Sequence, residues 1–275
     1  MTNQRTSKLA GALGQLAEHL QWLREEGVAA VATDPQLVQA LGRRVPTAGH
    51  AAAGAGRKAG DQPRARAAAS PAAPAADAPE LKAARAALAD VAKRVAVCRQ
   101  CPLGRARSRT VPGQGHPHPA IMFVGEGPGE EEDRQGLAFV GAAGQLLSRQ
   151  ILRMGLTRAE VFIGNIVKCR PPGNRPPLPD ELAACLPYLR EQIAILQPRV
   201  IVCLGGTAVK GLLGVTTGIT RLRGQWHSCA GVDVMPTYHP SYLLRGGGED
   251  KARWWEVWND LVAVLARIGR PPPPR

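Results

Sequence analysis

Short apolar runs and helical patterns alternate along the second half of the chain. The runs fall at 120–124 (AIMFV), 161–167 (VFIGNIV), 199–204 (RVIVCL) and 232–237 (VDVMPT). The first is continuous through Ile121, Met122, Phe123 and Val124, the pattern of a strand buried on both faces. Between and after the runs, apolar positions recur with helical spacing at 142–154, 179–196, 206–213 and 250–268. Strands separated by helices of this length predict a three-layer α/β/α fold with a central, mostly parallel sheet of about four strands. Another helix begins near Glu80 or Leu81 and runs toward Val97, with Leu81, Leu88, Val91 and Val95 on its inner side. The folded domain is therefore expected over 80–270.

Upstream the pattern changes. Leu9, Leu13, Leu16, Leu20 and Leu23 stand three or four apart and predict an amphipathic helix over 7–32, inside an N-terminal helical segment of 1–45. Residues 46–79 are mostly Ala, Gly, Pro and Arg without a bulky apolar side chain. Such a stretch buries too little surface to offset its ordering entropy, so a disordered linker is expected there. The run Pro271–Pro274 reads as a frayed end. No internal repeat is visible.

Composition narrows the class. The hydrophobic share is 44% over 275 residues, enough for a substantial core. No apolar run approaches the roughly 20 residues of a membrane span. The first residues lack an apolar segment before a cleavage site, so a cytoplasmic location is the default expectation. The net charge is +13; residues 1–80 carry 9 basic and 7 acidic residues and 81–275 carry 26 and 15. The excess lies on the expected domain, and nucleic acid is the polyanion that such a surface suits best.

After the first strand comes GEGPGEEED, 125–133. Glycines there let backbone approach a ligand, and the carboxyl end of a strand is where open α/β sheets place their sites. The same residues also suit an ordinary strand-to-helix turn, with Glu130–Asp133 at a helix start where negative charge is favourable. Cys98 and Cys101 form a C-x-x-C, and Cys169 and Cys185 follow in KCRPPGNRPPLPDELAAC. Four thiolates suit a 4Fe–4S cluster or a structural zinc, and the spacing leaves both open. Cys203 and Cys229 read as ordinary packing.

Read together, GEGPGEEED (125–133), GLAFVGAAGQLL (136–147), NIVKCRPPGNR (165–175) and HPSYLLR (239–245) resemble the type-4 uracil-DNA glycosylases, the iron–sulfur branch of that superfamily. The resemblance covers about 85–265. Leu137-Ala138 departs from the family's usual Arg-Pro before Phe139. A related branch forms a covalent adduct through a histidine in an inserted basic loop; no insertion follows Phe139-Val140-Gly141, so the hydrolytic type fits better.

The resemblance implies hydrolysis of the uracil–deoxyribose bond in DNA, a step of base excision repair that leaves an abasic site, by a monomer. It implies a 4Fe–4S cluster on Cys98, Cys101, Cys169 and Cys185. His239 would donate to uracil O2, and the Asn165 amide would read O4 and N3–H, a pattern that cytosine reverses. Phe139 would stack on the extruded base, and the Gly127 amide would contact it. Glu126, Glu132 and Asn174 are the candidates for holding the attacking water. Arg105, Arg107, Arg109, Lys168, Arg170, Arg175, Arg221, Arg223 and Arg245 would contact DNA. Leu243 and Leu244 would wedge into the vacated stack. Two other readings compete: a DNA-binding module without catalysis, against which Glu126, Asn165, Phe139 and His239 argue, and a nucleotide site in the GEGPG loop, whose four following acids would repel phosphate.

Overall fold

In the computed structural model, residues 79–245 and 250–271 are described. The N-terminal helix predicted over 7–32 lies outside the described residues, as does the predicted linker apart from Pro79.

In chain order the elements are α1 (Pro79–Val97), α2 (Leu103–Ala106), β1 (Gln114–Gly115), β2 (Ile121–Gly125), α3 (Glu130–Gln135), α4 (Ala142–Arg153), β3 (Phe162–Asn165), α5 (Pro179–Leu196), β4 (Val200–Leu204), α6 (Gly206–Leu213), α7 (Ile219–Leu222), β5 (His227–Cys229), β6 (Val232–Thr237), α8 (Pro240–Leu243) and α9 (Lys251–Arg267). The four apolar runs thus become β2, β3, β4 and β6, and they pair in parallel in the order β3-β2-β4-β6. The sheet has six strands among the described residues rather than the expected four. β1 and β5 add antiparallel edges. With two and three residues, the first with a glycine, these edges carry no periodicity that a sequence reading could detect.

Alternate residues of the central strands serve opposite faces. Ile121, Phe123, Ile163, Val200, Val202 and Met235 join α4 and α9 in one core. Met122, Val124, Phe162, Ile201, Cys203 and Val234 join α5 and α6 in the other. Covering both faces is what lets a parallel sheet consist of uninterrupted apolar runs. Leu81, Val91 and Val95 of α1 are buried as expected, while Leu88 is only half-buried. No helix among the described residues is long and apolar enough to cross a membrane.

One polar link ties α9 to the end of β6. Asp260 is 3% exposed; it accepts from Thr237 Oγ1 at 2.6 Å and from Arg223 Nη2 at 2.8 Å. The guanidinium also donates to the Glu256 carbonyl at 2.6 Å and lies over the Tyr238 ring. Arg223 is thereby turned inward, which corrects its expected place on the DNA-contacting surface. Removing the carboxylate leaves a mostly buried cation and a buried hydroxyl without their acceptor. Asp260→Ala is therefore expected to cost toward the lower end of roughly 3–5 kcal/mol, because Arg223 keeps some contact with solvent. A denaturant-unfolding midpoint equal to that of the unsubstituted protein would contradict this account.

Candidate active site

Because β2, β3, β4 and β6 run parallel, their carboxyl ends meet at one edge of the sheet. β2 delivers Glu126 and Gly127, β3 ends on Asn165, β4 leads into Gly205–Gly206, and β6 leads into Tyr238 and His239. All of these line one cavity of about 590 Å³, with Phe139 and Tyr242 completing its walls. A crevice outside the carboxyl ends, where the strand order reverses between β2 and β4, is the general ligand position in this architecture.

The floor is defined by what is missing at Gly125. A Cβ there would stand 2.5 Å from both Asn165 Oδ1 and Phe139 Cζ. The amide and the ring can flank the strand end only because glycine occupies it. Asn165 is 1% exposed and its Oδ1 has no hydrogen-bond partner among the described residues. A buried, unpaired acceptor is costly unless a ligand supplies the donor.

Phe139 is held in a backbone conformation that favours glycine, with φ at 54°. Its loop is fastened from behind. Arg158 donates to the carbonyls of Ala138 (2.7 Å) and Phe139 (3.1 Å), and Gln114 pairs with both the amide and the carbonyl of Ala138. Gly144 of α4 lies so close that a Cβ would fall 2.0 Å from the Phe139 carbonyl. The Phe139 ring centroid is 5.7 Å from that of His239.

His239 caps α8. Its Nδ1 accepts from the Ser241 amide at 3.1 Å and lies 2.7 Å from the Ser241 hydroxyl. A neutral imidazole accepts at one nitrogen and donates at the other, so this contact leaves the proton on Nε2. Burial pushes the ring's pKa down to about 4, helped by Arg245 and opposed by the Glu132 carboxylate. At neutral pH the ring is an uncharged donor.

The acidic residues separate into distinct tasks. Glu132 accepts from the amides of Gly129 (3.1 Å), Val140 (2.8 Å) and Gly141 (2.9 Å), so it binds the first loop to the Phe139 loop. Asp133 accepts from the Ser108 amide at 3.0 Å. Glu130 pairs with Arg170 at 3.1 Å. Glu126 lines the cavity, and no described residue engages its carboxylate. Gly127 packs so tightly that a Cβ would meet Val167 at 2.7 Å. Asn174 stands on the exposed rim, where its Oδ1 accepts from Arg170 Nε at 2.8 Å.

Some of the expected DNA-contacting residues are placed elsewhere. Lys168 is fully buried, and burial pushes its ammonium down to about 8. Arg107 donates to Cys169 Sγ at 3.0 Å and to the Ala96 carbonyl at 2.6 Å. Leu243 is packed in the core with no exposed surface and cannot serve as a wedge in this state; Leu244 beside it is half-buried. Arg105, Arg109, Arg221 and Arg245 are exposed, and Arg245 lies over the Tyr242 ring at the cavity's rim. Arg175 also lines the cavity, while its guanidinium is held by both carboxylate oxygens of the buried Glu181.

Cys98, Cys101, Cys169 and Cys185 line one small cavity between α1, α2 and α5. They share that cavity without being closed around a common point, since no three His, Cys, Asp or Glu side chains among the described residues stand as a finished metal site. The surroundings nevertheless suit thiolate ligands: Arg107 donates to Cys169 Sγ, and the Lys168 amide donates to Cys185 Sγ at 3.3 Å. Burial pushes the Cys185 thiol up to about 11, and a bound metal would favour its deprotonated form. Cys203 is buried in the sheet and Cys229 contacts the Leu212 carbonyl at 3.7 Å, as packing residues do.

Ser241, Tyr238, Tyr242 and Arg158 are site residues that sequence reasoning overlooked. Ser241 was legible, since it stands two residues after His239 in HPS. Arg158 was not, because its contacts are made 19 and 20 residues away in the chain.

Known proteins match the folded part of the chain. The family model described as Uracil DNA glycosylase superfamily matches residues 112–262. A type-4 uracil-DNA glycosylase of Thermotoga maritima is 48% identical over 167 residues, covering 59% of this chain and 86% of that protein. Its counterpart in Sulfurisphaera tokodaii is 46% identical, covering 57% and 76%. That of Archaeoglobus fulgidus is 40% identical, covering 57% and 83%. The family model spans more than half of the chain and these relatives are covered over most of their length, so the chain belongs to the uracil-DNA glycosylase superfamily, in its type-4 branch.

Proposed function

We propose that this chain takes uracil out of the DNA stack and hydrolyses its N-glycosidic bond, leaving an abasic site. The observation that carries this reading is the unpaired Asn165 Oδ1, buried beside an aromatic ring and across a cavity from a neutral histidine. Uracil N3–H is the donor that this acceptor lacks, and the amide NH2 of Asn165 suits O4. Cytosine would set acceptor against acceptor and donor against donor. Phe139 gives the everted base a face to stack on, since the glycosidic carbon cannot be reached within a duplex.

As the bond breaks, negative charge spreads onto the uracil oxygens and positive charge onto the sugar. His239 Nε2–H donates to O2, where the charge grows; a neutral donor suffices, and the Ser241 contact keeps the proton on that nitrogen. Glu126 faces the sugar, favours its developing cation and orients the water whose oxygen bonds to the sugar carbon. The bonding pair leaves with uracil, which then takes up the proton lost by water. Glu132 serves as a positioning residue, and Asn174 and Gly127 border the same space. Arg170, Arg175, Arg221 and Arg245 are the proposed phosphate contacts, and Leu244 is the wedge.

A 4Fe–4S cluster is proposed on Cys98, Cys101, Cys169 and Cys185. When bound it would supply cross-linking rather than chemistry, joining the segment that precedes β1 to the segment that carries Arg170, Asn174 and Arg175. Cys185→Ser is expected to lower the iron content of the purified protein and bleach its brown colour. Zinc in place of iron in the unsubstituted protein would overturn the cluster assignment.

Excision is read as alkali-labile strand breaks at uracil in a synthetic oligonucleotide. The unsubstituted protein is expected to produce them at uracil and not at cytosine; a chain that leaves the uracil strand intact would refute the proposed activity. His239→Ala should keep the fold and slow single-turnover excision about 10²–10³-fold, the usual effect of losing one such donor. A rate within twofold of the original would remove His239 from the chemistry.

The histidine also predicts a pH dependence. With its pKa pushed down to about 4, excision should show no inflection near the ordinary histidine value of about 6.5 and should decline as the pH falls through about 4. Stability follows the same sign. The unfolded chain takes up a proton at this site near pH 6.5 and the folded chain does not until about 4, so this contribution is full above 6.5 and is lost as the pH falls between the two values. NMR titration of the His239 ring with a midpoint near 6.5 would contradict both statements.

A further inference from the structure

Lys168 was expected on the DNA-contacting surface, yet no part of it is exposed and no carboxylate pairs with it. Desolvating an ammonium group is costly, so its partners should show what it is for. Nζ donates to the Asn165 carbonyl at 2.8 Å and to Gln192 Oε1 at 2.6 Å, and Gln192 Nε2 donates to the Pro112 carbonyl at 2.7 Å.

The sheet explains why a side chain must do this. β1 pairs with β3 at Gln114↔Ile163 and Gly115↔Phe162. Continued by two residues, that antiparallel register sets Pro112 opposite Asn165. Proline has no N–H, so it has no donor to offer the Asn165 carbonyl. Lys168 supplies one from inside the protein, and Gln192 connects the same ammonium to Pro112. The lysine's own backbone is fixed as well, because its amide donates to Cys185 Sγ and its carbonyl accepts from the Val111 amide at 2.9 Å.

We infer that Lys168 is a positioning residue for base recognition: it replaces the missing ladder donor at Asn165 and holds the end of β3 in register between the cysteine cavity and the uracil pocket. It touches no base. Its effect is on where the Asn165 amide stands. The inference rests on the proposed uracil-excision activity and adds to it the residue that orients the reader of the base.

A double-mutant cycle on the full chain tests it, with single-turnover excision of uracil from an oligonucleotide as the readout. Lys168→Met should slow excision roughly ten- to hundredfold, the scale of a misplaced recognition group, with iron content unchanged. In an Asn165→Ala background, where there is no amide left to orient, the same substitution should change the rate by less than about twofold. Gln192→Met, which withdraws the ammonium's second acceptor, should show a smaller loss that also disappears in that background. The Gln192 cycle decides the matter if Lys168→Met does not fold. Losses that multiply in the double variants would overturn the inference and leave Lys168 a residue of the core. An unsubstituted protein without activity would overturn the excision reading and this inference with it; an active protein with multiplying losses overturns this inference alone.

Discussion

No side chain can stand at position 125. β2 must end on a residue without a Cβ so that the Asn165 amide from β3 and the Phe139 ring from the following loop can close over it. This single steric constraint brings together residues 26 apart in the chain: an amide whose oxygen is buried without a partner and an aromatic ring. The remaining parts of the site act on that arrangement. Glu132 collects three amides and so sets the first loop against the second, while Arg158 and Gln114 hold Phe139 from behind in its positive-φ conformation. Small residues at 125 and 144 make the closeness possible, and the polar fastenings make it permanent.

Burial lowers the pKa of His239, and the Ser241 amide occupies its Nδ1, so in the proposed reaction the ring would offer an oriented N–H rather than a cation. Three of the positive side chains around the site have protein partners: Arg223 is paired with Asp260, Arg175 with Glu181, and Lys168 with a carbonyl and an amide. Of the proposed phosphate contacts, Arg175 and Arg245 line the cavity, and Arg221 and Arg245 are exposed.

Much of this was legible in the sequence, for identifiable reasons. The central strands show because both faces are covered and their residues are apolar without interruption; the long helices show because one face alone is buried. Asn165 and His239 were legible because they stand in short motifs at strand ends, and Phe139 only through the motif GLAFVGAAGQLL. What stayed hidden depends on contacts across the chain. Lys168, Arg107 and Arg223 look like surface cations by type, and only the packing of α5, the cysteine cavity and α9 turns them inward. Leu243 shares HPSYLLR with Leu244, yet helix α8 directs the first into the core and leaves the second half-buried. The edge strands β1 and β5 are too short to carry a period. Pro112, whose missing N–H matters to Lys168, gains meaning only from a register that no local pattern encodes.

The most direct test of the account is a crystal structure of the protein with uracil-containing DNA, trapped by a non-hydrolysable sugar. The account predicts the uracil ring outside the helix and stacked on Phe139, with N3–H on Asn165 Oδ1 and O2 on His239 Nε2. A uracil that remains stacked in the DNA, or one seated away from the Asn165 amide, would contradict it.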